Sequence, residues 1–261
     1  MRVLVVSNQK GGVGKTTTAI SLGAALVERG QRVLIVDLDP QANATSGLGA
    51  PKDANVYGLL LKERPIKDSI VHTEIPNLDL IPSGPDMAGA EVELVPLMAR
   101  EYRLREALRS AAAEYDTVIV DCPPSLGLLT VNALAAGDGV VVPVQCEYYA
   151  LEGLAQLLQT IDAVRQRLNE KLEVLAIVLT MEDRRNRLSM QVTDEVRRHF
   201  PTLVARTRIP RTVRLAEAPS HGKPISVYDR ESRGAQAYDE LAGEILARLK
   251  SREPIALAGS A

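Results

Sequence analysis

The run Gln9-Lys10-Gly11-Gly12-Val13-Gly14-Lys15-Thr16-Thr17 constrains this chain more than any other segment. It follows the β-branched stretch Val3–Val6 and opens a helical pattern, Thr16–Arg29, that stops at Gly30. Strand, glycine-rich turn and helix, in that order, form a phosphate-binding loop. Glycines let the backbone curl so that successive N–H groups converge on phosphate oxygens. The helix that follows adds its N-terminal dipole. In such a loop the Lys15 ammonium is a point charge for the β- and γ-phosphates of ATP, and the Thr16 hydroxyl is a ligand for the Mg²⁺ that bridges them. Thr17 adds a hydroxyl near the α-phosphate. The general loop pattern begins with glycine. Here Gln9 stands in that place, and a second lysine, Lys10, lies inside the loop.

Five more apolar runs recur along the chain: Val33–Val36, Leu78–Ile81, Val118–Val120, Val140–Val144 and Val174–Leu179. They read as strands buried on both faces. Helical patterns lie between and after them, at Leu94–Ala113, Leu126–Ala136, Leu151–Leu168, Ser189–Phe200 and Gly234–Lys250. This alternation predicts an α/β fold, a doubly wound and mostly parallel sheet flanked by helices. A length of 261 residues suits one such domain, expected over 1–250, with a short tail at 251–261. Segment 40–75 reads as loops with one short helix.

Two of the strands end in acids. In Val36-Asp37-Leu38-Asp39-Pro40-Gln41 the two carboxylates are two residues apart. Both can therefore face one side at the carboxyl end of the sheet, where open α/β folds bind ligands. In Thr117-Val118-Ile119-Val120-Asp121-Cys122-Pro123-Pro124 an apolar run again ends in an acid. That places Asp121 near the metal, through a coordinated water.

Composition narrows the function classes. No apolar run approaches the roughly 18 residues of a membrane span. The first residues lack the charged, apolar and cleavage regions of a secretory signal, so a cytoplasmic protein is expected. Net charge is -2, but residues 182–214 hold nine arginines against four acids, a surplus of +5. The other residues hold 22 basic against 29 acidic side chains, so positive charge is concentrated in one stretch. It suits either a phosphate-neutralising surface or a solvated face paired with Asp183, Asp194 and Glu195. Phe200 is the single phenylalanine and tryptophan is absent, which argues against a base-stacking reader of single strands. Cys122 and Cys146 are the only cysteines; both follow apolar runs and read as small buried hydrophobes rather than halves of a cluster shared between two copies.

With both lysines, the loop matches the K-G-G-x-G-K-[ST]-T form of the deviant Walker A motif. The chain therefore resembles the ParA/MinD family, and within it the ParA/Soj partitioning ATPases. The D-x-D-P-Q segment at Asp37, the D-x-P-P box at Asp121, the block from Pro143 to Gly153 and the segment Ile209-Pro210-Arg211-Thr212-Val213-Arg214 carry the same resemblance. It implies an ATP site at Lys10, Gly11, Gly12, Val13, Gly14, Lys15, Thr16 and Thr17. It also implies adenine contacts from Pro210, Thr212 and Met181. On the same resemblance Lys10 would reach across a homodimer interface to the partner's ATP, and Asp39 would position or activate the attacking water, making Lys10, Lys15 and Asp39 the catalytic set. Thr16 binds Mg²⁺, with Asp121 and Asp37 in the outer shell or, for Asp37, in support of the loop.

The resemblance further implies that the ATP-bound homodimer binds double-stranded DNA without sequence specificity, through Arg185 and Arg214 with help from Arg184 and Arg187. The dimer would coat the nucleoid and be turned over by a ParB-like centromere-binding partner. No DNA-reading domain is expected before the loop. Two other readings compete. A MinD-like membrane switch would need a basic amphipathic C-terminal helix, whereas this sequence ends Ser251-Arg252-Glu253-Pro254-Ile255 and then an almost uncharged run. A metabolic enzyme of the same superfamily would form a product besides ADP and phosphate, or carry bound iron.

Overall fold

In a computed structural model of the chain, residues 1–52, 55–111, 113–147, 150–183 and 185–251 are described. Their strands are β1 (Arg2–Val6), β2 (Val33–Asp37), β3 (Val71–His72), β4 (Leu78–Ile81), β5 (Thr117–Asp121), β6 (Gly139–Gln145), β7 (Glu173–Glu182) and β8 (Val204–Pro210). All eight join one sheet in the order β3-β4-β2-β5-β1-β6-β7-β8. Every pairing is parallel except that of β3 with β4.

The helices are α1 (Lys15–Glu28), α2 (Asn43–Gly47), α3 (Asn55–Leu61), α4 (Ile66–Ser69), α5 (Met87–Leu94), α6 (Arg103–Leu108), α7 (Leu128–Ala136), α8 (Ala150–Arg167), α9 (Arg187–His199), α10 (Val213–Glu217), α11 (Ile225–Tyr228) and α12 (Arg233–Ser251). The period of two along β1 divides them into two layers. Val3 and Val5 join a core shared with α3 and α5–α9, while Leu4 and Val6 join a core shared with α1 and α12. Burial on both faces is why the central strands read as unbroken apolar runs.

The six expected strands form within one to three residues of their expected ends. β8 was not expected. Its sequence, Val-Ala-Arg-Thr-Arg-Ile-Pro, is polar in its middle because it borders the sheet. Its amides at Arg206 and Thr207 donate to the Glu244 carboxylate on α12, at 3.0 and 3.1 Å. Segment 40–75 corrects the single short helix expected there; it holds α2, α3 and α4 and the small strand β3.

The expected helix Leu94–Ala113 is also corrected. Helix α5 has ended by Val95, Pro96 supplies no amide, and Ala99 adopts a left-handed φ of 53°. Asn132 of α7 then stabilises the break, donating to the Arg100 carbonyl at 2.8 Å and accepting from the Leu104 amide at 3.2 Å. The tail expected at 251–261 lies outside the described residues from 252 onward.

Arg248 of α12 ties the far end of the sheet together. Its guanidinium donates to the carbonyls of Leu175, Leu203 and Val204 at 2.9–3.1 Å and to Glu244 at 2.8 Å. Arg248→Ala removes these bonds and the cation paired with the half-buried Glu244 carboxylate. The expected loss of stability is about 2–4 kcal/mol, read as a shifted denaturant midpoint.

Candidate functional site

The loop after β1 turns through Gly12 and Gly14, whose φ angles of 73° and 86° lie in the left-handed region. A side chain at either position would strain the backbone. Gly14 is also the N-cap of α1 and offers no capping side chain. The helix's first amides thus suit a phosphate oxygen, as a free N-terminus does generally. Val13 is held from behind by the Thr180 hydroxyl of β7, which donates to its carbonyl at 2.9 Å.

Beneath the loop lies a buried group of charges. Lys15 is 7% exposed, and its ammonium donates to the Lys10 carbonyl at 3.1 Å. Burial lowers its pKa, while the Asp121 and Asp39 carboxylates work against that shift. Asp37 and Asp121 are directly paired across β2 and β5, so their side chains stand next to each other at the strand ends. Both are fully buried. Burial raises the Asp37 carboxyl to about 6, against hydrogen bonds that favour the charged form. It holds Asp121 well above the usual carboxylate range, with the Asp37 charge adding to the effect.

The carboxylates differ in what engages them. Asp37 accepts from the Thr45 amide and hydroxyl of α2 at 2.8 and 2.7 Å and from the Asp39 amide at 3.1 Å, so all three donors lie in the segment just after β2. Asp39 is 6% exposed; one of its carboxylate oxygens accepts from the Gln41 amide at 2.9 Å, and its carbonyl accepts from the Ser83 hydroxyl at 2.8 Å. Asp121 Oδ2 accepts from the Thr16 hydroxyl at 2.7 Å, whereas its buried Oδ1 has no partner among the described residues.

An orphaned carboxylate oxygen beside a hydroxyl fits a hard divalent cation, which takes oxygen ligands and water. Among the described residues no three His, Cys, Asp or Glu side chains come close enough to hold a metal by themselves. A Mg²⁺ at this point would take Thr16 as its protein ligand, with phosphates and water completing its shell. Cys122 and Cys146 are free and buried, and Thr193 donates to the Cys146 sulfur at 3.4 Å.

The expected adenine residues come together. Met181, Pro210 and Thr212 line one cavity of about 310 Å³ with Gly14, Thr17 and Thr180. That volume is at the small end of the range for small-molecule sites. Met181 takes a left-handed φ of 53° at the irregularity of β7 between Leu179 and Glu182, and the Thr212 hydroxyl caps α10 by accepting from Leu215 at 3.3 Å.

Lys10 does not join the buried group. Its ammonium forms an ion pair with Glu147 at 2.8 Å, just past the end of β6. The arginines are likewise engaged. Arg185 is 92% exposed and pairs with Asp183 at 3.2 Å. Arg214 pairs with Glu217 at 3.1 Å and with Asp229 at 3.3 Å. Arg187 is exposed at the first position of α9. Arg184 lies outside the described residues.

This architecture has named counterparts. The first 174 residues match the family model of an AAA domain. Over 249 residues the chain is 55% identical to the sporulation initiation inhibitor protein Soj of Bacillus subtilis, covering 94% of this chain and 98% of that protein. Over 256 residues it is 54% identical to the chromosome partitioning protein ParA of Myxococcus xanthus, covering 97% and 90%. The chain belongs to the Soj/ParA family of chromosome-partitioning ATPases.

Solved structures share the fold. A Mycobacterium smegmatis protein described as cobyrinic acid a,c-diamide synthase, with a bound ATP analogue and magnesium, superposes with a TM-score of 0.85 at 41% identity, covering 97% of this chain and 98% of that one. The Pyrococcus furiosus cell division ATPase MinD superposes at 0.77 with 27% identity, covering 94% and 98%. In this Soj/ParA-family chain the glycine turn after β1 borders the site. No helix among the described residues is long and apolar enough to cross a membrane.

Several members of the site were not singled out from sequence. Thr45 and Ser83 fix the acids, and Asn8, Gln145 and Gln156 fix the loop's outer lip. Each is a common polar residue acting across a long sequence separation, and no local pattern marks it.

Proposed function

We propose that this ParA-family chain is a nucleotide-gated DNA clamp for segregating chromosomes. ATP with Mg²⁺ fills the loop, and two copies close face to face over it. The closed homodimer holds duplex DNA without sequence preference. Slow hydrolysis, stimulated by a ParB-like partner, opens it. The protein works in the cytoplasm, on the nucleoid.

One observation carries this reading. Lys15, Asp39 and Asp121 form a compact buried group at the carboxyl edge of the sheet, with the half-buried Thr16 bonded to Asp121, while Lys10, two residues from the glycine turn, stays outside that group on the rim. A rim lysine held only by an exposed ion pair with Glu147 can be given up to a neighbouring molecule's phosphates, so phosphate charge is fully neutralised only in the pair. Pairing and nucleotide occupancy then share one equilibrium. Within each copy Lys15 binds the β- and γ-phosphates, Thr16 would hold the Mg²⁺, Asp37 holds the loop that carries Asp39, and Asp39 orients the attacking water. The metal would supply charge neutralisation on the phosphates. The cavity at Met181, Pro210 and Thr212 takes the adenine.

DNA binding rests on phosphate neutralisation by Arg185, Arg214 and their neighbours, doubled when two copies align. Arg214 exchanges Glu217 and Asp229 for DNA phosphates. Arg214→Glu should weaken DNA binding at least tenfold near 0.1 M salt and lower the slope of log affinity against log salt by roughly two per dimer, with ATP-dependent pairing intact. An unchanged slope would remove Arg214 from the surface.

Co-sedimentation with duplex DNA in ATP, ADP and no nucleotide tests the reading as a whole. DNA should pellet the protein with ATP alone. Equal pelleting in all three conditions would defeat the gate. Pelleting with liposomes instead would favour a MinD-like membrane role, and a product besides ADP and phosphate would favour a biosynthetic one, which the name of the Mycobacterium protein raises.

A further inference from the structure

The structure assigns Glu147 to hold Lys10 on its own subunit until a second copy takes it away. This inference rests on the ATP-dimer reading above. It adds a positioning residue that acts through Lys10.

The restraint is built from both sides. Lys10 Nζ lies 2.8 Å from one Glu147 oxygen, and the other oxygen accepts from the Gln145 side-chain amide, which fixes the carboxylate's orientation. The Lys10 amide donates to Asn8 Oδ1 at 3.0 Å, and the buried Asn8 side chain donates to the Pro143 carbonyl of β6 at 2.7 Å. On the other side Gln9 donates to Gln156 of α8 at 2.9 Å. The outer lip of the loop and the end of β6 are thereby clamped together, with the ammonium turned toward Glu147. A cleft of about 280 Å³ bordered by Lys10, Gln145, Glu152 and Gln156 lies beside the pair.

The strength of the restraint suits a switch. Lys10 and Glu147 keep 38% and 50% of their side-chain surface exposed. A pair this wet is worth roughly a two- to fivefold bias at most. A triphosphate presents several negative charges where Glu147 presents one, so the lysine transfers once a nucleotide-loaded partner arrives. Two such exchanges occur per dimer, and their biases multiply to about four- to twenty-five-fold in the dimer constant.

Two measurements on the full chain with Glu147→Gln separate this role from a structural one. The first is the acetylation rate of Lys10 by an N-hydroxysuccinimide ester in nucleotide-free protein, with exposed Lys223 as the internal reference. It should rise about two- to fivefold. The second is the dimer dissociation constant by sedimentation with a non-hydrolysable ATP analogue. It should tighten about four- to twenty-five-fold, with ADP affinity of the single chain within twofold of wild type. Gln145→Ala should shift both in the same direction by less. Unchanged Lys10 reactivity, or a dimer that is equal or weaker, overturns the restraint. If Lys10 reactivity rises but neither wild type nor variant pairs with the analogue, the dimer reading falls while the contact within one chain stands.

Discussion

Lys15→Met should leave the chain unable to hold ATP, with affinity reduced about 10²- to 10³-fold, or roughly 3–4 kcal/mol. The ammonium is buried with Asp39 and Asp121 as its main electrostatic neighbours, so it faces the phosphates from a site that water scarcely screens. Methionine keeps the volume and removes the charge. The variant loses the attraction to phosphate and also leaves Asp37, Asp39 and Asp121 without their cation, a concentration of negative charge that repels a triphosphate. Titration calorimetry with ATP reads the effect directly. Affinity within tenfold of wild type would mean that Lys15 does not face the phosphates.

Asp39→Ala should act on the other half of the cycle. Its carboxylate sits on a loop fixed at three points: Asp37 accepts from its amide, Ser83 donates to its carbonyl, and Thr45 is bonded to both Asp37 and Ser83. Such rigidity suits a group that orients water, and losing an orienting or proton-accepting carboxylate lowers turnover about 10²- to 10³-fold. Lys15 and Thr16 are untouched, so nucleotide still enters. The ATP-bound pair should therefore accumulate, visible by light scattering as a doubled mass that persists for as long as ATP does. A variant that stays single with ATP would contradict the assigned role.

The parts of this molecule that were readable beforehand are those whose chemistry is local. The glycine turn, its lysines and the strand-end acids each advertise themselves within a few residues, because phosphate binding needs backbone curvature and charge at fixed spacing. Central strands were readable because burial on both faces forces unbroken apolar runs. β8 was not, since a border strand buries less and carries Arg206, Thr207 and Arg208. The region after Leu94 looked helical because Pro96 is one residue in a favourable window. What breaks the helix there is a left-handed Ala99 made tolerable by Asn132, more than thirty residues away. The contact of Lys10 with Glu147 spans 137 residues and joins two ordinary charged side chains, so only the folded chain brings it to view.

The border strand also governs how copies can stack. A bare strand edge is a template for a neighbour's strand. Here the Glu244 carboxylate occupies the donors at Arg206 and Thr207, and Arg248 locks that carboxylate in place. Joining sheet to sheet along this rim would mean evicting a tethered anion, so fibre growth by lateral strand addition is blocked on that side. Contacts between copies on that side must instead be made by faces rather than by strand edges.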